Sequence, residues 1–131
     1  MERVLVVDDD PAVCELIQDI LQEVQLEAVC VGDDQAAYRV LPTLPTFQAM
    51  VVDVNLGSST SGFDVARFAR QVIPGLPVLY VTGAASPEEF RSFGVPGSGY
   101  IQKPFMPDDL LAALIRRLRR RGDPAKPSAR H

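Results

Sequence analysis

Apolar and polar positions alternate in blocks along the chain, and the length and period of each block predict its element. Val4 to Val7 (VLVV) is a short unbroken apolar run, as a strand covered on both faces requires. Asp10-Pro11 then opens a helix, the acid as cap and the proline in the first turn, and Val13, Leu16, Ile17, Ile20, Leu21 and Val24 recur at helical spacing. Ala28 to Val31 predicts a second strand, and residues 33–41 (DDQAAYRVL) predict a helix closed before Pro42. Phe47 to Val54 comes next as the third strand, residues 62–73 as the third helix and Pro77 to Val81 as the fourth strand. Ser86-Pro87-Glu88-Glu89 opens a helix that reaches only about Phe93, because Gly94, Pro96, Gly97 and Gly99 interrupt the next stretch. Tyr100 to Gln102 is the fifth strand. A last helix opens at Pro107-Asp108-Asp109, with Leu111, Leu114, Ile115 and Leu118 on one face.

Strand and helix therefore alternate five times, which predicts an α/β fold with a parallel sheet and helices on both faces. In such folds ligands bind beyond the carboxyl ends of the strands, near a switch in strand order. The residues at those ends are Asp8, Asp9 and Asp10 after the first strand, Asp53 and Asn55 after the third, Thr82-Gly83 after the fourth and Lys103-Pro104 after the fifth. Clustered carboxylates repel, and at least one takes up a proton unless a cation compensates them. Oxygen ligands from Asp and Asn suit a hard ion, and Mg2+ fits best. Lys103 offers a positive charge to an arriving anion and Thr82 a hydroxyl. Carboxylate, divalent cation, ammonium and hydroxyl together are what phosphoryl transfer needs. Asp53 is the natural nucleophile, since carboxylates form acyl phosphates.

Composition narrows the class without changing this picture. The chain has 131 residues, 47% hydrophobic and 23% charged, which is ordinary for one soluble domain. Apolar runs of four or five residues are far short of a membrane span, and Met1 leads straight into a strand with no secretory leader, so a cytoplasmic protein without membrane partners is expected. Cys14 and Cys30 sit within apolar patterns and are expected as reduced core thiols. The net charge of −4 divides unevenly: residues 1–115 carry −10 and residues 116–131 carry +6. A basic segment this short on an acidic body does not argue for nucleic acid, and none is expected as a partner.

The pieces 4-VLVVDDDP-11, 50-MVVDVNLG-57 with 62-GFD-64, 78-VLYVTGAA-85 and 99-GYIQKPF-105 resemble the receiver domain of two-component response regulators, the CheY-like family. Five such pieces in order, from about residue 3 to 118, make a specific match. The resemblance implies a doubly wound, flavodoxin-like (βα)5 three-layer sandwich with strand order 2-1-3-4-5. It implies a receiver domain over residues 1–118 and a basic, Pro-containing, disordered tail over 119–131. Asp53 would be the phosphoacceptor. Asp9 would ligate Mg2+ directly, Asp8 largely through water, and the main-chain carbonyl of Asn55 would complete the protein ligands with Asp53. Thr82 and Lys103 would contact the phosphoryl oxygens, Thr82 and Tyr100 would form the switch, and Lys103-Pro104 would be a cis peptide. The phosphoryl donor would be a sensor histidine kinase or a histidine phosphotransfer protein, docking against the first helix. The domain would be no enzyme beyond Mg2+-dependent self-phosphorylation and self-dephosphorylation. The downstream target is not named by the sequence, and a homodimer is among the assemblies the family uses.

Two stretches depart from the family pattern. Gly57 stands where a proline is usual, and Ser58-Ser59-Thr60-Ser61 is about one residue longer, so a looser, solvated loop is expected. The short fourth helix with its Gly/Pro linker is expected to be mobile. Two other functions compete. A phosphohydrolase using Asp8 as nucleophile needs a substrate-selecting insert and leaves Asp53 without a role. A receiver-like module that no longer takes phosphate would have lost Asp53, Lys103 or the acidic pair. Each residue alone has a plainer reading: Asp8 and Asp9 as a capped strand–helix junction, Thr82-Gly83 as a turn, Lys103 as a surface lysine and Tyr100 as packing.

Overall fold

The computed structural model describes residues 2–57, 60–83 and 87–122. Five parallel strands, β1 (Glu2–Val7), β2 (Leu26–Val31), β3 (Ala49–Asp53), β4 (Val78–Thr82) and β5 (Gly99–Gln102), stand in the order β2-β1-β3-β4-β5. They alternate with helices α1 (Pro11–Gln22), α2 (Asp34–Val40), α3 (Gly62–Val72), α4 (Pro87–Phe93) and α5 (Pro107–Gly122). The expected doubly wound sandwich and strand order are what the chain adopts. Strands β1 and β2 are two residues longer at their starts than the apolar runs alone predict. The last helix runs to Gly122, past the expected boundary at 118. Ser58, Ser59, Ser86 and the tail from 123 lie outside the described residues.

The two-residue side-chain period of the strands divides the core in two. Leu5, Val7, Met50, Val52, Val78 and Tyr80 face one way and are covered by α2 and α3, with Phe90 of α4. Val4, Val6, Ala49, Val51, Leu79 and Val81 face the other way, against Ile17, Ile20 and Leu21 of α1 and Leu110 and Leu114 of α5. Every residue of β3 and β4 is buried, which explains their unbroken apolar pattern. Two helix faces differ from the predicted ones. Leu16 is exposed on α1, and Leu110 rather than Ile115 is fully buried on α5.

Local chemistry fixes the helix starts. Asp10 caps α1 by accepting from Ala12 N, with Pro11 in the first turn, and Asp33 caps α2 through Ala36 N. Ser61, expected in a loose loop, caps α3 instead: its hydroxyl accepts from Asp64 N while the Asp64 carboxylate accepts from Ser61 N. Asp64 also pairs with Arg67.

Hydrogen bonds from distant residues reach the Gly/Pro segment between α4 and β5. The buried Tyr80 hydroxyl accepts from Val95 N at 3.1 Å. Arg70 Nη2 donates to the Pro96 carbonyl, and Arg117 Nη1 donates to those of Gly97 and Ser98. Each bond satisfies a backbone group that lies outside the helices and the sheet ladder.

Gly62, the first residue of α3, packs directly on β3. A Cβ there would lie 2.1 Å from the Asp53 carbonyl oxygen, which no real side chain tolerates. Gly62→Ala should therefore destabilise the domain by about 3 kcal/mol or more, as backbone displacement at a closed site does. Urea unfolding monitored by circular dichroism measures it, and a change within about 0.5 kcal/mol would show that the approach is not required.

Candidate functional site

The strand order brings the ends of β1, β3, β4 and β5 together at one edge. Asp8 follows β1 directly, Asp53 ends β3, Thr82 ends β4 and Lys103 follows β5. Asp8, Asp53 and Thr82 are buried, unusual for two acids unless they are paired. The pairing has a repeated form. Asp8 Oδ1 accepts from Asp10 N at 2.8 Å, and Asp53 Oδ1 accepts from Asn55 N at 3.0 Å. Each carboxylate's second oxygen turns to the same ammonium, Lys103 Nζ lying 3.1 Å from Asp8 Oδ2 and 3.2 Å from Asp53 Oδ2. Lys103 is placed by its own backbone, whose N–H donates to the Thr82 carbonyl at 2.8 Å, and its peptide bond to Pro104 is cis. Leu44-Pro45 is a second cis bond, which the sequence did not signal.

Charge at this edge is unbalanced. Burial pushes the Asp53 carboxyl above its usual range; the Asn55 amide opposes this, the Asp8 charge adds to it and Lys103 opposes it. Burial works to lower the Lys103 ammonium, but Asp8 and Asp53 outweigh it and hold the group above its ordinary value. The exposed Asp9 brings a third carboxylate: one oxygen from each of Asp8, Asp9 and Asp53 falls within 4.8 Å of the others. Three acids facing one ammonium, all oxygen donors, fit a hard divalent cation better than they fit each other.

The loop after β3 is shaped around these acids. Gly57 has φ +73, and a Cβ there would come within 2.9 Å of Asp9 Oδ2. The position that departs from the expected proline has the positive φ that glycine tolerates, and a side chain there would have to displace the exposed Asp9 carboxylate. Asn55 Oδ1 accepts from Gly57 N at 3.3 Å, and Asn55 pairs with Ser61 in an isolated antiparallel bridge. Tyr100 is partly exposed on β5, away from the acids, with its ring 4.8 Å from that of Phe90. Phe90 in turn meets the Tyr80 ring, which meets Phe63 of α3.

The structure so brings Asp8, Asp9, Asp53, Thr82 and Lys103 to one edge, with Asn55 beside them and Tyr100 on the neighbouring face. Sequence reasoning misses four features. Gly57 and Ser61 read as loop, although Ser61-x-x-Asp64 ahead of an apolar run carries a capping signature. Tyr80 carries no signal beyond being a polar-tipped aromatic in a buried strand. Cys14 and Cys30, expected as reduced core thiols, are free and pack half-buried against the core, and they also line a cleft of about 310 Å3 with Asp8 and Asp9. Burial pushes both thiols up, Cys30 to about 12.

Residues 4–115 match the family model for the response regulator receiver domain, and the chain belongs to that family. Among curated relatives it is 30% identical over 127 residues to the DNA-binding response regulator MtrA of Mycolicibacterium smegmatis, covering 93% of this chain and 53% of that protein. It is 34% identical over 125 residues to a Mycobacterium tuberculosis protein named "Probable transcriptional regulatory protein TcrX", covering 91% and 50%. The chain thus spans about half the length of these relatives. A response regulator receiver protein from Sinorhizobium medicae superposes with a TM-score of 0.85 at 28% identity, covering 92% of this chain and 96% of that one. No helix among the described residues is long and apolar enough to cross a membrane.

Stability against pH depends on Asp53. A carboxyl whose folded-state pKa is raised contributes stability that is fully present below its unfolded value and lost as pH rises through the folded one. In metal-free buffer at neutral pH, Asp53→Asn should therefore melt above the wild type, and the gap should close as pH falls toward the ordinary carboxylate range. Calorimetric melting of both proteins across that range checks this; a variant that melts lower at neutral pH would contradict it.

Proposed function

We propose that this receiver domain accepts a phosphoryl group on Asp53 from a phosphohistidine of a sensor kinase or phosphotransfer protein, and passes the signal on through a conformational change. One observation carries this reading: two buried carboxylates from different strands share a single lysine ammonium beside a third, exposed carboxylate. An arrangement built only for stability would gain little from burying two like charges. One that must receive an anion and a cation needs them.

The residues have distinct roles. Asp8, Asp9 and Asp53, with the main-chain carbonyl of Asn55, would hold Mg2+. When bound, that ion neutralises charge on the phosphoryl oxygens and on the attacking carboxylate. A carboxylate oxygen of Asp53 attacks phosphorus in line, the P–N bond to the donor histidine breaks, and an acyl phosphate forms on Asp53. Lys103 then turns from the carboxylates to the phosphoryl oxygens, and the Thr82 hydroxyl donates to them. The charge gained, about −1.5 to −2, draws Thr82 inward, and Tyr100 follows on the same sheet edge. The switch is a shift between two populations of one fold. Loss of the phosphoryl group to water at the same site makes the domain a self-dephosphorylating acceptor, and a kinase-fed relay of this kind places it in the cytoplasm.

Nucleic acid is outside this proposal for residues 4–115. The DNA binding in MtrA's name belongs to a protein matched over about half its length. Here Arg117 of the basic helix α5 is engaged with the carbonyls of Gly97 and Ser98.

Intact mass after incubation with a small acyl-phosphate donor tests the proposal. The expected result is a gain of one phosphoryl group that requires Mg2+ and disappears in Asp53→Asn. Lys103→Ala should slow the gain by roughly 10- to 1000-fold, as loss of a charge stabiliser does. No gain under any condition would favour a module that binds partners without phosphate. A gain that survives Asp53→Asn would move the acceptor elsewhere.

A further inference from the structure

Helix α5 is apolar on more sides than the fold uses. The run 110-LLAALI-115 holds no polar side chain, and its length exceeds one full turn. A helix stretch that is apolar all round belongs in an interior. Leu110 and Leu114 are buried against the sheet, with Leu111, Ala113 and Leu118 packed beside them. Ala112 and Ile115 are exposed instead.

The exposed side is a stripe with charge at both ends. Asp108, Ala112, Ile115 and Arg119 follow the spacing i, i+4, i+7, i+11, which keeps them on one helix face, and all four are exposed. Asp109 and Arg116 flank the stripe on one side and are exposed too. Acids in the first turn and bases in the last suit any helix dipole. That accounts for the ends of the stripe but not for the apolar pair between them. Within the helix the charges cannot pair: Asp108 and Asp109 have only leucine and alanine three and four residues ahead, and Arg116 and Arg119 repel each other. Among the described residues none of these four charged side chains makes a hydrogen bond or an ion pair. Arg117, by contrast, is turned to the carbonyls of Gly97 and Ser98.

We propose that this stripe is a homodimer surface, on which α5 of a second copy packs antiparallel. Each position finds its complement within the stripe itself. Asp108 and Arg119 lie equally far from the midpoint between Ala113 and Leu114, and so do Ala112 and Ile115. A two-fold axis through that midpoint sets Asp108 against Arg119 of the second copy, and Ala112 against Ile115 of the second copy. Small against large lets the two helices approach closely. Asp109 falls beside Arg116 of the second copy on the same flank. Such a contact is isologous and closes at two chains. A polyanion would meet Asp108 and Asp109 at one end of the stripe, whereas a second copy matches both signs and the apolar centre. None of the residues proposed for phosphoryl transfer belongs to this surface, so the pairing stands apart from that reading.

Sedimentation equilibrium of the full chain, over a range of concentration and salt, tests the proposal. One helix per copy is a small interface, so the expected result is a monomer–dimer equilibrium with a dissociation constant on the order of 10 µM to 1 mM. It should weaken by several-fold to about tenfold between roughly 50 and 500 mM salt, as screened ion pairs do. Asp108→Arg and Arg119→Asp should each be monomeric alone, because each sets like charges against one another across the axis. Their equimolar mixture should dimerise, since every pair is then again of opposite sign. Ile115→Glu, at an exposed position, should weaken the wild-type dimer and leave the circular dichroism spectrum unchanged. A wild type that stays monomeric up to about 1 mM would overturn the proposal. A dimer that survives both Asp108→Arg and Ile115→Glu would overturn it as well, by placing the interface elsewhere. Folded single variants that stay monomeric when mixed would overturn the antiparallel register.

Discussion

The site depends on one lysine ammonium standing between two carboxylates that have almost no access to water. Burying two like charges a few ångströms apart costs several kcal/mol unless something compensates them. Here each carboxylate spends one oxygen on the amide two residues ahead and the other on Lys103. The compensation is incomplete, since Asp53 is still held above its ordinary value and Asp9 adds a third charge nearby. Under the proposed function, that remaining imbalance would favour taking up a cation, and through it accepting a phosphoryl group.

Much of the surrounding structure keeps those groups in register. The sheet order sets β1 beside β3 and β5 beside β4, so the four strand ends converge although their residues lie up to 95 positions apart in the chain. Gly57 makes room for Asp9, and Gly62 lets α3 rest on the backbone of Asp53. On the other side of the edge, Tyr80 reaches from β4 to Val95 N, and Arg70 and Arg117 hold the next carbonyls. The segment between α4 and β5 is thereby tied to the strand that ends in Thr82.

The fold is legible in the sequence because apolar period and turn residues agree along almost the whole chain. Asp10-Pro11 reads as a helix start and is one, and the VLVV and AMVVD runs read as covered strands and are. The acids and Lys103 are legible because a parallel sheet leaves only one edge for them to meet. The features that escape notice depend on contacts between distant residues. Gly57 looks like a loosening substitution until its positive φ is seen, and nothing in the 94–98 run signals the arginines from two helices on its carbonyls. Leu16 is exposed on α1 and Leu110 takes the burial expected of Ile115 on α5, because the angle at which a helix sits on the sheet is set by packing, not by spacing alone. The thiols pack against the core yet stay half-exposed because β2 is an edge strand whose cover is partial, which its apolar sequence does not reveal.

The measurement that reaches the central claim most directly is thermal unfolding of the unphosphorylated domain with and without millimolar Mg2+, for wild type and Asp9→Asn. A ligand that binds only the folded state raises its stability by RT ln(1 + [L]/Kd). Unbalanced charge at the strand ends predicts a melting temperature that rises with Mg2+ in the wild type, with a smaller rise in Asp9→Asn. A wild-type melting temperature indifferent to Mg2+ would mean that Lys103 already satisfies the cluster, and would contradict the account.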